Sequence, residues 1–588
     1  MRRQVLFLLG FTFFLMLAVS VPAQNVAPDV VYHNGKIVTA NEGFTIVQAI
    51  AVKDGKIVAV GPSREIRRLA GLRTRQVDLQ GKTVLPGFYD NHIHLGEGVQ
   101  AWKGGLVPAA SEWLREADTL DKLLAALKKR AANTPKGQWI RGTLAREDWP
   151  NQRVPTRWDV DKVVPDHPVA LARGPHTLIV NSMALEKAGI TRETPDPPGG
   201  WIFRSEDGAP NGRVLEAARR MITRVIPSDR KKETDEEKLA RYRQHLQKLA
   251  GLGITSVNIA GLVPQDLRLV QELYNRWGEA LPRATVMVRV RPGHDAYDDV
   301  ELGVKNSINE IIGLGFRTGF GNERLKIGGI KMSIDGGMSA PVFWSVKPYK
   351  GRPNFYGAQR IPDDAFYRVA KTAHEMGWQI GVHTMGDGAA VMVVNQLEKI
   401  LKEKPRADHR HHLHHVSVLP PEETLKKMGR LGILVASQPG FTVGLGAYAE
   451  EALDPDREAS QNPSKTLLNH GIRVSYGSDG APYGPLVAIW AAVTRTGWDG
   501  KIRGPGEAVS LKQAIRMHTY ESAYLTFDEK TRGSLEVGKV ADMVVLGKDI
   551  MEARPADIRT IPIERTIVGG NEIYTAKKPA GAAAIGAK

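Results

Sequence analysis

From about Thr83 to about Phe527 the chain repeats one unit: a short apolar strand, a loop and a helical stretch. TVLPGFYDNHIH, VALARG, GITSVNIAG, ATVMVRVR, LKIGGIKMSID, WQIGVHTMGD, RHHLHHVSVL, GILVASQPG and IRVSYGSDG each read as a strand. Strands that alternate with helices bury their apolar faces as a parallel sheet covered by helices. So many units approach a (β/α)8 TIM-like barrel, which typically takes about 250 residues. The repeating stretch is much longer than that, so an insertion is expected, at about residues 99–232. Its tryptophans, Trp102, Trp113, Trp139, Trp149, Trp158 and Trp201, read as core residues in preference to an aromatic cap over a substrate.

At the two ends the pattern changes. VVYHNGKIVTANEG and AIAVKDGKIVAVGPS are alternating β-runs bounded by Asn-Gly or Asp-Gly turns, and GSLEVGKVADMVVLGKDI and RTIVGGNEIYTA repeat that pattern near the other terminus. The expectation is an α/β protein. A small β-sandwich is built from residues 24–82 and 529–576, and a catalytic barrel, 83–528, leaves it and returns. Residues 577–588 are low-complexity, and a disordered tail is expected there.

The first residues, MRRQVLFLLGFTFFLMLAVSVPAQ, combine paired arginines, an apolar run and small residues at Val21 and Ala23. They read as a signal peptide, residues 1–23, and imply export to a periplasm or the medium. An uncleaved anchor is the alternative, because the run from Val5 to Val21 is near the lower limit for spanning a bilayer. Both the Sec and the twin-arginine routes stay open. No later segment resembles a membrane helix, so no stable insertion is expected once the leader is gone.

The chain has no cysteine, which removes disulfides and thiolate ligands, so any metal is held by nitrogen and oxygen. Its formal charge is +16, but the most charged stretch, SDRKKETDEEKLARYRQHLQKL, interleaves both signs and reads as a solvated amphipathic helix. Nucleic acid is therefore not the expected partner; a small-molecule substrate is. Homo-oligomerisation stays open.

The polar residues at the strand ends carry the chemistry. In FYDNHIHL, alternation puts Asp90, His92 and His94 on one face, and paired imidazoles suit a metal. In LKIGGIKMSID, Lys331, Ser333 and Asp335 face the barrel interior. A lysine there is costly unless paired or modified, and an ion pair to Asp335 is the plain alternative. His383 ends the strand in WQIGVHTMGD. In RHHLHHVSVL, His411, Leu413 and His415 share one face and His412 and His414 the other, with His415 the expected ligand. In IRVSYGSDG, Gly477 leaves room around Asp479, for which a turn cap is the competing role.

This ordered series, with NGKIVT, LPGFYDNHIHL, NSMALEKAGITRETPDPPGG, IKMSIDGG, VHTMGDGAA, SQPG, GSDGAP, AAVTR and LEVGKVADMVVL, resembles the amidohydrolase superfamily. It is most similar to the YtcJ-like group related to N-substituted formamide deformylases. The resemblance implies that His92, His94, Lys331, His383, His415 and Asp479 are metal ligands. It also implies that Lys331 is a lysine able to be carboxylated and that His176 lies near the substrate. The chain departs from the group where HLHH replaces the usual RIEH, where NIAG lacks a histidine and an aspartate, and where TLAREDWP lacks Gly-Trp-Asp.

The implied chemistry is hydrolysis of a non-peptide C–N bond, in an amide or an N-formyl or N-acyl compound. Water is activated by one or two divalent metals, with zinc the default, and Asp479 is the catalytic proton carrier. Alternatives are a cyclic-amide or dipeptide hydrolase on the same scaffold, and a non-catalytic metal-dependent binding or regulatory protein.

Overall fold

The computed structural model describes residues 27–577 apart from 118, 145–153, 175, 229–232 and 340–341, and leaves aside the side chain of Trp102. The expected leader, Trp149 and the tail from 578 onward lie outside the described residues.

Eight parallel strands form the central sheet. In chain order they are β1 (Phe88–Ile93), β2 (Ile254–Leu262), β3 (Arg283–Arg289), β4 (Leu325–Ser333), β5 (Ile380–Thr384), β6 (His412–His415), β7 (Leu434–Ser437) and β8 (Val474–Tyr476). Each pairs in parallel with its neighbour in sequence from β1 to β8. The last seam is closed just past β8, where the Asp479 N–H donates to the His92 carbonyl at 2.8 Å and the Ser478 N–H donates to Asp90 Oδ1 at 2.8 Å. The strands are apolar on the side toward the helices: Ile330, Met332, Ile380, Val382 and Leu413 are all buried in one core with the covering helices. The result is a TIM-like barrel whose strand C-termini open on one face.

Both chain ends build the sandwich. The C-terminal strand Met543–Leu546 pairs antiparallel with Thr83–Pro86, which pairs in parallel with Lys36–Val38. That six-stranded sheet faces a four-stranded one formed by Val30–His33, Ala49–Lys53, Lys56–Gly61 and Arg75–Asp78. Val30, Tyr32, Ile37, Ile50, Met543, Val545 and Ile567 share the core between them. Thr83, the expected first residue of the barrel, thus lies in the sandwich sheet, and the chain enters the barrel at Phe88.

Between β1 and β2 lies a further sheet of five strands: Ile140–Leu144, Val169–Arg173, Thr177–Val180, Pro210–Glu216 and Gly200–Arg204, in that spatial order. VALARG therefore belongs to this inserted sheet and not to the barrel. Its strand returns at once in an antiparallel pair with Thr177–Val180, a connection too short for the crossover that a parallel barrel strand needs. Trp113 and Trp139 pack on the cores of the insertion. Trp201 packs edge-on against Phe355, ring centroids 4.4 Å apart. The acidic-basic stretch after it forms the helix Asp235–Ala250, opened by a Thr234/Glu237 capping box and burying Leu239, Tyr242, Leu246 and Leu249. Among the described residues no helix is long and apolar enough to cross a membrane.

Candidate metal centre

A cavity of about 330 Å³ opens at the C-terminal face of the barrel. His92, His94, His176, Lys331, His383, His415 and Asp479 all line it. The sequence expectation for the site residues is thus a single place in the fold.

The tightest group comes from the two strands that close the barrel. β1 delivers His92 and, one residue beyond its end, His94; the turn after β8 delivers Asp479. His94 Nε2 lies 3.0 Å and His92 Nε2 3.6 Å from Asp479 Oδ1, and one donor atom from each residue falls within 4.8 Å of the others. Gly477 makes the approach possible: a Cβ there would stand 2.5 Å from the His92 backbone nitrogen. Sequence reasoning assigned that space to Asp479; the structure assigns it to the backbone of β1. Asp90, on the same strand, is not part of the group. Its Oδ1 accepts from the Ser478 and His92 N–H groups, and burial pushes its pKa up to about 7.

His415 stands beside this group, its ring centroid 4.9 Å from that of His92 and 4.4 Å from that of His383. Its orientation is set by two hydrogen bonds in series. Gln438 Nε2 donates to the Ala436 carbonyl at 2.9 Å, which turns Gln438 Oε1 toward His415 Nδ1 at 2.7 Å. The proton is thereby assigned to Nδ1, and Nε2 is left buried with no partner and a free lone pair. Burial drives the His415 pKa down to about 3, and burial likewise lowers those of His92 and His383, His92 also under the influence of Lys331. Neutral imidazole is the form that ligates.

Strand alternation places His415 on the face opposite His412 and His414, yet all three enter the barrel. The reason is the backbone: His415 has φ +78° and Val416 φ +53°, so the chain turns out of the strand path at His415 and swings its ring inward. His412 and His414 keep the alternation. They touch through their Nε2 atoms at 3.2 Å, and the His414 ring packs on His92. His411 points the other way and meets His374 on the helix Asp363–Glu375.

Lys331 is 2% exposed, and its Nζ has no hydrogen-bond partner. The ion pair to Asp335 does not form. Asp335 instead accepts the backbone N–H groups of Met385, Gly386 and Trp344. Burial, reinforced by Arg289, pushes the lysine pKa well below its usual value. Burial thus favours the neutral amine, which is the form that can react with carbon dioxide to give a carbamate.

The wall facing the barrel comes from the inserted sheet. His176 Nδ1 lies 2.7 Å from Glu216 Oε1, and Glu216 also forms an ion pair with Arg360. Burial alone would raise the Glu216 pKa, but Arg360 and His176 outweigh it and hold the carboxyl at about 2. Sequence reasoning missed Glu216 and Arg360. Glu216 ends an ordinary alternating strand, and Arg360 sits in a loop with no motif around it.

The donor set fits a divalent metal. It is all nitrogen and oxygen, burial favours the neutral form of His92, His383 and His415, and unpartnered buried nitrogens of His415 and Lys331 border the three converging donors.

Comparison with known proteins agrees with this geometry. The chain is 29% identical over 561 residues to the putative amidohydrolase YtcJ of Bacillus subtilis, covering 92% of this chain and 99% of that one. It is 28% identical over 551 residues to the N-substituted formamide deformylase of Arthrobacter pascens, covering 92% and 97%. In fold it matches an uncharacterized metal-dependent hydrolase from Pyrococcus horikoshii with a TM-score of 0.64 at 22% identity, over 90% of this chain and 99% of that one. Residues 75–574 match the model of the amidohydrolase family, and the chain belongs to that family.

Proposed function

We propose that this protein hydrolyses a non-peptide C–N bond, in an amide or an N-formyl or N-acyl compound, with His92, His94, His383, His415, Lys331 and Asp479 holding the metal. The observation that carries this reading is the convergence of His92, His94 and Asp479 on one point of a cavity that also receives unpartnered nitrogens from His415 and Lys331. The formamide deformylase among the relatives supports the bond type.

When bound, a divalent metal, zinc in this reading, supplies Lewis acidity and makes water acidic near neutral pH. The protein's own groups do the rest. Asp479 takes the proton of the attacking water on its carboxylate and later hands it to the departing nitrogen. The Asp479 N–H bond to the His92 carbonyl keeps that carboxylate fixed on the β1 histidines. Glu216 holds His176 by Nδ1 and leaves Nε2 as the nitrogen directed to a substrate. Carboxylation of Lys331 would turn the buried amine into an anionic oxygen ligand, which suits two metals; the free amine suits one. The leader-like start supports export.

A second reading, a metal-binding regulatory protein, has one specific support: a relative 27% identical over 64% of this chain is the exoenzymes regulatory protein AepA of Pectobacterium carotovorum. Elemental analysis and a turnover panel separate the two. Stoichiometric metal with turnover of N-formyl or N-acyl compounds, lost in Asp479→Ala, supports the hydrolase. Metal without turnover of any amide favours the regulator. Turnover confined to cyclic amides or dipeptides moves the substrate class, and no bound metal after reconstitution removes the mechanism.

A further inference from the structure

The cavity wall is rich in arginine, and two of these arginines have no direct ion-pair partner among the described residues. Five arginines line it: Arg219, Arg220, Arg289, Arg291 and Arg360. Arg360 is committed to Glu216, and Arg220 to Asp298 and the His294 carbonyl. Among the described residues, no carboxylate lies within ion-pair distance of Arg289 or Arg291; Asp295, on the same cavity wall, acts on both only at longer range, and burial disfavours its ionised form. Arg289 is the last residue of β3, paired in register with Lys331 on β4. Its side chain is mostly buried, and its Nε is buried without a partner. It lies flat on the end of β2, where Gly261 has φ +106° and a Cβ would stand 2.8 Å from Arg289 Nε. The fold thus keeps a position free of side chain so that a guanidinium can lie in the floor of the cavity, next to the metal-site residues.

A half-dry guanidinium without a direct ion-pair partner is costly, and its planar fork matches a carboxylate. We propose that the substrate carries a carboxylate, as an N-acyl or N-formyl amino acid does, and that Arg289, with Arg291 at the cavity mouth, is the group that binds it. The inference rests on the hydrolytic reading above for the position of the scissile bond; the anion site itself rests on the arginines alone.

The test uses a pair of ligands that no C–N hydrolase can cleave. 3-Benzoylpropionate has a methylene in place of the nitrogen of N-benzoylglycine, and butyrophenone is the same skeleton without the carboxylate. Binding of each to the metal-loaded protein is measured by calorimetry for the wild type, Arg289→Met and Arg289→Lys, with metal content determined for all three. A charge-assisted bidentate contact predicts at least about tenfold tighter binding of the carboxylate in the wild type. The preference should collapse in Arg289→Met and return in part in Arg289→Lys. No preference in the wild type overturns the proposal. So does a preference that survives in Arg289→Met, since the anion would then sit on the metal. So does a loss of metal in Arg289→Met with the preference unchanged, which would make Arg289 a support for Lys331. Turnover of N-benzoylglycine and of benzamide is followed in parallel. If neither is cleaved while the Arg289-dependent preference holds, the hydrolytic reading fails and the anion site stands.

Discussion

Glu216→Gln tests how the inserted sheet and the barrel are joined at the site. The substitution keeps the side-chain shape and removes the charge that Arg360 and His176 share. Two routes give its magnitude. Removing one partner of a buried ion pair costs about 3–5 kcal/mol, because the other charge is left uncompensated. A carboxyl held at about 2 against an ordinary 4.5 corresponds to about 3 kcal/mol, at 1.36 kcal/mol per pKa unit. The folded-state pKa lies below the unfolded one, so this contribution is complete above about pH 4.5 and fades as the pH falls toward 2; at about pH 3.5 roughly 2 kcal/mol of it remains. Urea unfolding of both proteins, followed by tryptophan fluorescence, should show a loss of about 3 kcal/mol at neutral pH that shrinks by about a third at pH 3.5. A neutral-pH loss below about 1 kcal/mol, or one that does not change with pH, would refute the assignment of Glu216 as an ionised buried partner.

Three other perturbations probe the centre. Gly477→Ala puts a Cβ against the β1 backbone where Asp479 and His92 meet; overpacking of about 1–3 kcal/mol should weaken metal binding in competition with a chelating dye, and unchanged affinity would mean that the seam does not position the ligands. Lys331→Met replaces an amine that has no partner. The metal-free variant should therefore be as stable as the wild type or more so in a thermal melt, with less metal bound on reconstitution; destabilisation of the metal-free form by more than about 1 kcal/mol would reveal a partner for Nζ. Chelation of the wild type should lower its melting temperature, since a ligand present at about a thousandfold its Kd contributes about 4 kcal/mol; an unchanged melt would count against the histidine set as a metal site.

The clustering of the candidate site was legible because a parallel barrel gathers the C-terminal ends of all its strands on one face. His92, His94, His383 and Asp479 each stand at or just past such an end, so ordering the strands was enough to bring them together. VALARG was not legible in the same way. As an apolar run it is indistinguishable from a barrel strand, and only the distance to the next run, TLIV, three residues on, marks it as one arm of a hairpin. Glu216 and Arg360 carried no signal at all. Each belongs to the site only because an inserted sheet is folded over the barrel mouth, and that relation is tertiary.

His415 shows where strand alternation alone does not place a side chain. Alternation groups it with His411 and Leu413, yet its ring stands in the cavity while their side chains do not, because the backbone leaves the strand at φ +78°. Asp479 at φ +50° and Glu216 at φ +51° share that left-handed conformation, which costs a non-glycine residue of order 1–3 kcal/mol. Glycine would relieve the strain at all three positions, but it would remove an imidazole and two carboxylates from the cavity. All three stand where the chain leaves a strand for the barrel mouth or its cover. At His415 a side chain that continued the strand's alternation would point away from the common centre, on the side of His411. The left-handed turn redirects it, so the strain is the conformational cost of making separate strand ends converge on a single point.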